Sequence, residues 1–184
     1  MKSNNFFQSI WALENFLVLD TETTGLSGDD EILQLGIIDK KGRVVFDQLI
    51  RPGGKREWPG AQRVHGITPE MVADCFPLSH FDELFEILNG QTVLVYNAPY
   101  DSRIFRQSLA ICGCDWYPEI KWVDAMQPYA EHWGAWSNWH QSYTWQSLTN
   151  ACAQQGVEVR EDAHSAVADC LMTLALIEKL ATAE

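Results

Sequence analysis

Three short strand-like runs follow one another in the first fifty residues of the chain. The first, residues 16–20, is apolar until it ends in an acid, which is typical of a central strand whose carboxyl end opens onto a site. The next two, residues 31–39 and 43–50, are joined by Lys40-Lys41-Gly42 and predict an antiparallel hairpin. The runs together predict a sheet whose first three strands are antiparallel.

The rest of the chain alternates between helical and strand-like segments. A loop rich in Pro and Gly is predicted at 51–66, a short helix near Pro69 and a longer helix at 79–88. Strands are predicted at 92–96 and 121–123, and helices at 99–112, 124–132, 144–155 and 165–181. This order predicts an α/β sandwich on a mixed sheet, and 184 residues suffice for one domain, with residues 1–15 as an arm or helix.

The apolar stretches and the cysteines indicate the compartment in which the protein is expected to act. No apolar stretch approaches the roughly 18 residues of a membrane span, and the first residues lack a signal pattern. Five cysteines form no regular framework, which favours reduced thiols. We therefore expect a soluble cytoplasmic protein without a membrane partner.

The net charge of −12 argues against tight binding of long duplex nucleic acid. Two divalent cations held by clustered carboxylates would offset about four of these charges. These charges leave room for a basic surface, which is either a strip that guides a nucleic-acid strand or a solvated face. Seven of the thirteen basic residues fall in one window of the sequence: Lys40, Lys41, Arg43, Arg51, Lys55, Arg56 and Arg63. Short or single-stranded substrates therefore remain compatible with the charge.

Asp20 and Glu22 are the first candidates for chemistry. Residues two apart in a strand project from the same face, so both carboxylates can converge on one cation at the end of the sheet. Oxygen ligands of this kind suit Mg²⁺ or Mn²⁺. By themselves the two residues are equally compatible with a pair of solvated acids.

A glycine turn and a third acid follow. The turn, Thr23-Thr24-Gly25-Leu26, presents backbone amides to a terminal nucleotide, and Leu26 either wedges against a base or packs on the core. Asp101 lies in Asn97-Ala-Pro-Tyr-Asp101, where a helix beginning near Pro99 stabilises a carboxylate in its first turn. Local sequence alone leaves Asp101 as an ordinary N-terminal helix acid and leaves Tyr100 either in the core or near the substrate.

His164 and Asp169 form the third element. A separation of five residues is about 140° of rotation on a helix, so the two side chains diverge if both are helical. They converge if Ser165 caps the helix, which leaves His164 in the preceding loop and Asp169 one turn inside. This placement predicts that Asp169 reaches the metals while His164 approaches a water.

These segments together resemble a known family. Asp20-Thr-Glu-Thr-Thr-Gly-Leu26, Val64-His-Gly-Ile-Thr68, Asn97-Ala-Pro-Tyr-Asp101 and His164-x4-Asp169 are similar, in order, to the motifs of the DEDDh 3′–5′ exonucleases. The resemblance is greatest to the proofreading epsilon subunit of bacterial DNA polymerase III and its stand-alone relatives. It covers about residues 16–180.

The resemblance implies a ribonuclease-H-like fold with two Mg²⁺ or Mn²⁺ ions. Asp20, Glu22 and Asp169 would be metal ligands, Asp101 would ligate directly or through water, and His164 would be the general base. A pKa near operating pH suits histidine to that role. His65 would line the nucleotide pocket, although loop packing explains it nearly as well. The candidate substrate-binding residues are therefore Thr23, Thr24, Gly25, Leu26, His65, Asn97 and Tyr100.

Three functions fit these features. The leading one is a metal-dependent 3′–5′ exonuclease that acts mainly on single-stranded DNA and releases nucleoside 5′-monophosphates. The second is an RNA-trimming or oligoribonucleotide exonuclease, and the third is a non-catalytic adaptor in a polymerase or processing complex. The presence of all five catalytic residue types argues against the adaptor.

Two aromatic segments have no assigned role. Trp133, Trp136 and Trp139 recur every three residues, which indicates a base-stacking platform, a partner surface or a helical stripe packed on the domain. The N-terminal segment around Phe6, Phe7 and Trp11 indicates either a packed helix or a docking arm.

Overall fold

The computed structural model describes residues 2–160 and 164–183. Its main sheet has five strands in the order β3-β2-β1-β4-β5, and a separate two-stranded ladder pairs β6 with β7. The strands are β1 (Leu17–Thr23), β2 (Ile32–Asp39), β3 (Val44–Leu49), β4 (Thr92–Val95), β5 (Lys121–Asp124), β6 (Trp136–Ser137) and β7 (Ser142–Tyr143). β1, β2 and β3 pair antiparallel, while β4 lies parallel to both β1 and β5. The predicted mixed sheet is confirmed.

Eight α-helices and one 3₁₀ helix lie in the described residues. They are α1 (Lys2–Trp11), α2 (Pro59–His65), α3 (Pro69–Val72), the 3₁₀ helix (Leu78–His80), α4 (Asp82–Leu88), α5 (Ala98–Ile111), α6 (Met126–Trp133), α7 (Leu148–Gln155) and α8 (Ala166–Thr182). None of these helices is long and apolar enough to cross a membrane.

The helices cover both faces of the sheet. On one face, α4 and α5 pack against inward-pointing residues such as Leu19 and Leu35. On the other, α1, α6, α7 and α8 pack against residues such as Val18 and Ile38. Because successive strand residues point to opposite faces, Val18, Asp20 and Glu22 all project towards the layer that contains α8.

The N-terminal segment is a packed helix. Phe7 of α1 is fully buried in the cluster that α8 also lines, and its ring meets the imidazole of His132 edge to face. Lys40 fixes the end of this segment, because its ammonium donates to the carbonyls of Trp11 and Leu13 at 2.6 Å each. The alternative of a docking arm is therefore wrong for residues 2–11.

Several predicted elements differ from the structure. Residues 51–66 contain α2, because Pro59 starts a helix that left-handed Gly66 ends. The helix predicted at 79–88 is split by Phe81 into a 3₁₀ turn and α4, and the helix predicted from residue 144 begins only at Leu148. The tryptophans do not form a helical stripe, since α6 ends at Trp133 and left-handed Gly134 leads into β6. The five cysteines are free.

Candidate active site

A carboxylate cluster lies at the carboxyl end of β1. Asp20 and Glu22 project from this strand, and Asp169 approaches from the first turn of α8. One carboxylate oxygen from each of the three residues lies within 4.8 Å of the other two. Three acids separated by almost 150 residues thus offer three oxygen donors at one point.

Asp101 lies beside this triplet. Its carboxylate is buried in the first turn of α5 and accepts a hydrogen bond from the Thr21 hydroxyl at 3.0 Å. The charge of Asp101 contributes to the raised pKa of both Asp20 and Glu22, so the four acids form one electrostatic unit. The structure thus brings all four predicted acids together.

The pKa values of the cluster reflect burial and like charge. Burial is the largest cause of the high pKa of Asp20, followed by the charge of Asp101. Burial and then Asp169 raise the pKa of Glu22 to about 8. Burial also raises the pKa of Asp101 to about 7, against the lowering effect of the Thr21 hydrogen bond. A divalent cation would relieve this repulsion, and an all-carboxylate donor set suits Mg²⁺ or Mn²⁺.

A glycine in β2 brings α8 close enough to complete the cluster. Gly36 pairs with Asp20 in the β1–β2 register. A Cβ atom at Gly36 would lie 2.8 Å from both the backbone carbonyl carbon of Ala166 and the backbone nitrogen of Val167. The bare backbone of Gly36 therefore lets the first turn of α8, with Asp169, rest directly on the sheet.

His164 lies outside α8, as expected. It is exposed, with the left-handed backbone angle φ of 71°, and α8 begins two residues later. Ser165 occupies the N-cap position of α8 as expected, although its side chain makes no capping hydrogen bond. Oδ1 of Asp169 instead accepts from the backbone N–H of His164 at 3.3 Å and fixes the histidine next to the cluster.

Helix α5 holds the glycine turn in place. The Tyr100 hydroxyl lies 2.6 Å from the Thr23 hydroxyl and donates to the carbonyl of Gly25 at 2.9 Å. Arg103 donates to the carbonyls of Leu26 and Ser27, each at 3.2 Å. Tyr100 thus links the turn to the helix that carries Asp101.

A cavity of about 390 Å³ opens beside the cluster. The Leu26 side chain at its rim is 80% exposed, so the alternative of packing on the core is wrong. His65 lines the cavity and also ties two loops together, because Nδ1 accepts from the Ile67 N–H at 3.0 Å and Nε2 lies 3.1 Å from the Thr23 carbonyl. The cavity is lined by Thr21, Glu22, Thr23, Gly25, Leu26, Gly60, Ala61, Val64, His65 and Tyr100.

Two expected substrate-binding residues do not line this cavity. The Thr24 hydroxyl is buried, donates to Oδ1 of Asp30 at 2.7 Å and accepts from the Glu31 N–H. Asn97 has φ of 115°, and its backbone N–H donates to Oδ1 of Asp124 at 3.1 Å. The Thr24 hydroxyl is thus engaged inside the protein, and the backbone of Asn97 is fixed by Asp124.

The turn depends on an acid that the motif pattern did not reveal. Asp30 accepts from Thr24 and from the backbone N–H of Ser27 at 2.6 Å. Burial alone would raise its pKa, but these hydrogen bonds and the nearby Lys55 ammonium lower it. A side chain at Gly25 would come within 2.7 Å of Oδ2 of Asp30. Glycine is therefore needed where the turn closes over this carboxylate.

Asp124 is the second structural acid that sequence reasoning missed. It is the last residue of β5, and its carboxylate accepts from the backbone N–H groups of Asn97, Ala98 and Gln127. It thereby joins the starts of α5 and α6. An acid at the end of a strand-like run, the signal that identified Asp20, was available for Asp124.

Some of the basic residues in the window from Lys40 to Arg63 pair with other groups of the protein. Besides Lys40, Arg43 pairs with Asp39 and Lys55 pairs with Asp29. These three cations are engaged by carbonyls or carboxylates of the chain, which favours the solvated-face interpretation for them.

The chain matches a protein-family model described as Exonuclease, RNase T, over residues 17–177. It is 34% identical over 179 residues to the protein named uncharacterized exonuclease CP81 of Escherichia phage 186, covering 93% of this chain and 90% of that one. It is 32% identical over 168 residues to a DNA polymerase III subunit epsilon-like protein of Rhodobacter capsulatus, covering 86% of this chain but only 22% of that protein.

Solved structures share the fold. One is Exonuclease X in complex with 5′ overhanging duplex DNA, with a TM-score of 0.66, 24% identity and coverage of 91% of this chain and 92% of that one. Another is Escherichia coli Exonuclease I in complex with a dT13 oligonucleotide, with a TM-score of 0.68, 19% identity and coverage of 91% and 41%. The ribonuclease-H-like fold and the likeness to epsilon-type exonucleases are confirmed, and the chain belongs to the RNase T exonuclease family.

Proposed function

We propose that residues 1–184 act as one 3′–5′ exonuclease domain on mainly single-stranded DNA and release nucleoside 5′-monophosphates. The observation that carries this proposal is the meeting of Asp20, Glu22 and Asp169 within 4.8 Å, beside buried Asp101. DNA is favoured because Exonuclease X and Exonuclease I, which share the fold, have been solved with DNA, and because epsilon-like proteins are among the relatives.

Asp20, Glu22 and Asp169 would hold two Mg²⁺ or Mn²⁺ ions, with Asp101 as a direct or water-mediated ligand. Bound metal ions would lower the pKa of water and stabilise the charge on the leaving 3′ oxygen. The Thr21 hydroxyl keeps the Asp101 carboxylate oriented for this purpose. Asp169 has a second task, since its Oδ1 holds the backbone of His164.

His164 would take the proton from the attacking water. Its exposed position next to Asp169 leaves the imidazole room to approach a substrate, and histidine is the side chain used most often as a general base. The terminal nucleotide would occupy the cavity between Leu26 and His65. Thr23, Gly25 and Tyr100 line this cavity, whereas Thr24 and Asn97 lie outside its lining.

The test is digestion of a 5′-labelled dT12 oligonucleotide and a matched U12 oligonucleotide, each with Mg²⁺, Mn²⁺ or EDTA. We expect a ladder of 5′-labelled products that shortens one nucleotide at a time, only with metal ion and faster for DNA. Asp20→Asn and Asp169→Asn should abolish the ladder, whereas Asp115→Asn, at an exposed acid before β5, should leave it unchanged. Immediate release of the labelled 5′ nucleotide would refute the polarity, and faster digestion of U12 would refute the DNA preference.

His164→Ala should lower kcat far more than it raises KM, and an equal change in both constants would contradict its role as base. Association with a polymerase or processing complex and a cytoplasmic location stay predictions.

A further inference from the structure

An exposed aromatic hairpin, residues 136–145, follows α6. Its two strands are β6 and β7, joined by a four-residue turn in which Gln141 has φ of 51°. Three tryptophan side chains are largely exposed on it: Trp136 by 51%, Trp139 by 89% and Trp145 by 64%. Exposure of three large indoles on one short segment is unusual for a surface that has no ligand.

Internal contacts connect the two strands of the aromatic hairpin. The rings of Trp136 and Tyr143 meet edge to face across the ladder, with centroids 5.2 Å apart. The Thr144 N–H donates to the Ala135 carbonyl at 2.7 Å. A two-residue ladder is marginal by itself, so these contacts account for its order and leave the tip residue Trp139 projecting into solvent.

The base of the aromatic hairpin is fixed at the edge of the sheet where the acids meet. Nε1 of Trp145 donates to Oε1 of Gln127 at 3.1 Å. The Tyr96 hydroxyl, one residue past β4, donates to the Gln146 carbonyl at 3.0 Å. Asp124 connects Gln127 to the start of α5, the helix that carries Asp101. The base of the aromatic hairpin is therefore connected to the same edge of the sheet that carries the candidate active site.

The nucleotide cavity and the residues that anchor the aromatic hairpin are associated with different faces of the sheet. Tyr100 lines the cavity and packs against the α4–α5 cluster, whereas Tyr96 and Leu148 pack in the cluster on the other face of the sheet. The carboxylates lie at the sheet edge between these layers. A strand with its terminal nucleotide in the cavity and its phosphate at the carboxylates can therefore continue towards the aromatic hairpin.

Charge favours bases as the occupant. The segment from Trp133 to Val157 contains no Asp, Glu, Lys or Arg, in a chain of net charge −12. An uncharged surface neither repels nor attracts phosphates electrostatically. The exposed indole faces of this segment are surfaces on which any base can stack. Recognition of duplex backbone would instead need a row of cations, which this segment lacks.

We propose that Trp139 and Trp145 bind unpaired bases upstream of the scissile phosphate by stacking. This inference deepens the proposed exonuclease function and rests on it. On this proposal the aromatic hairpin gives a preference for single strands several nucleotides long, and a dinucleotide bound at the carboxylates is expected not to reach it.

The test compares Trp139→Ala and Trp145→Ala with wild type on pdTdT and on dT12. Loss of one stacking contact is expected to lower kcat/KM on dT12 about tenfold and to change it less than twofold on pdTdT. Trp139→Phe should recover most of the dT12 rate. Trp116→Ala is the matched control, since this indole is 52% exposed but lies in the connection that precedes β5, away from the carboxyl edge.

Binding is measured separately from turnover. The Kd for fluorescein-labelled dT12 in EDTA, read by anisotropy, should rise about tenfold in Trp139→Ala and stay unchanged in Trp116→Ala. Unchanged Kd and unchanged dT12 digestion would overturn the proposal and favour a protein-partner surface, and an equal loss on pdTdT and dT12 would overturn it too. Wild-type protein that binds dT12 through Trp139 but digests nothing would refute the proposed exonuclease function and leave the stacking site standing.

Discussion

Gly36→Ala should damage the carboxylate cluster from a distance. The added methyl group would lie 2.8 Å from the carbonyl carbon of Ala166, 2.8 Å from the nitrogen of Val167 and 3.0 Å from Cβ of Ala166. The first two are backbone atoms at the start of α8, so no side-chain rotation relieves the contact. The start of α8 must move away from β2, and Asp169 moves with it.

The size of the effect follows from the distances. Ordinary contact lies beyond about 3.4 Å, so α8 must retreat by roughly 0.6 to 1 Å, and overpacking of this kind costs about 1–3 kcal/mol of unfolding free energy. A misplacement of about 1 Å in a catalytic group costs on the order of 100-fold in rate. We expect a fall in kcat/KM of about 10- to 100-fold on dT12 and weaker binding of Mn²⁺.

Urea denaturation, digestion of dT12 and Mn²⁺ titration measure the three effects. Gly28→Ala is the control, because nothing lies within 4 Å of a Cβ at Gly28. Its unfolding free energy should stay within about 0.5 kcal/mol of wild type, as for surface substitutions in general. If Gly36→Ala unfolds at the wild-type urea concentration and digests dT12 at the wild-type rate, the close approach of β2 to α8 does not position Asp169.

Three further predictions concern the cluster and the N-terminal helix. The pKa of Glu22 is raised to about 8 and that of Asp101 to about 7, so the folded protein holds these two protons more tightly than the unfolded chain does. The resulting stabilisation of the fold is present below pH 4 to 5 and is lost as the pH rises to 8. The melting temperature of metal-free protein should therefore fall from pH 6 to pH 8, and Mg²⁺ should raise it more at pH 8. Thr21→Val removes a hydrogen bond that lowers the pKa of Asp101, so the midpoint of the pH–rate profile should move to higher pH, while Thr21→Ser keeps it near wild type. Phe7→Ala should cost about 3–5 kcal/mol in urea denaturation, since this ring is fully buried, whereas exposed Gln8→Ala should cost little.

Each of these predictions has a contrary outcome. A Mg²⁺-induced rise in melting temperature that is equal at both pH values would mean that the acids are ionised in the metal-free protein throughout this range. A Thr21→Val profile that coincides with wild type would separate Asp101 from the rate-controlling ionisation. Equal losses for Phe7→Ala and Gln8→Ala would mean that α1 contributes no specific packing.

Much of the frame could be predicted because its signals are local. The β2–β3 hairpin follows from two apolar runs on either side of Lys40-Lys41-Gly42, and the positions of Asp20 and Asp101 follow from acids placed after apolar runs. The ordered motifs identified the family, since their joint occurrence carries more information than any one of them. The spacing of apolar residues and the identity of turn-forming residues depend only on neighbouring positions in the chain, so the sequence alone determined these features.

The tertiary structure decided what depends on residues distant in the chain. Only the packing of α8 against Gly36 brings Asp169 to Asp20, and only the fold shows that Thr24 and Asn97 are not among the residues that line the cavity. The aromatic hairpin escaped prediction because its two-residue strands carry almost no periodic signal and are held by the packing of Trp136 on Tyr143 and by the Trp145–Gln127 contact. Close approach and anchoring are properties of two segments at once, and no single stretch of sequence records them.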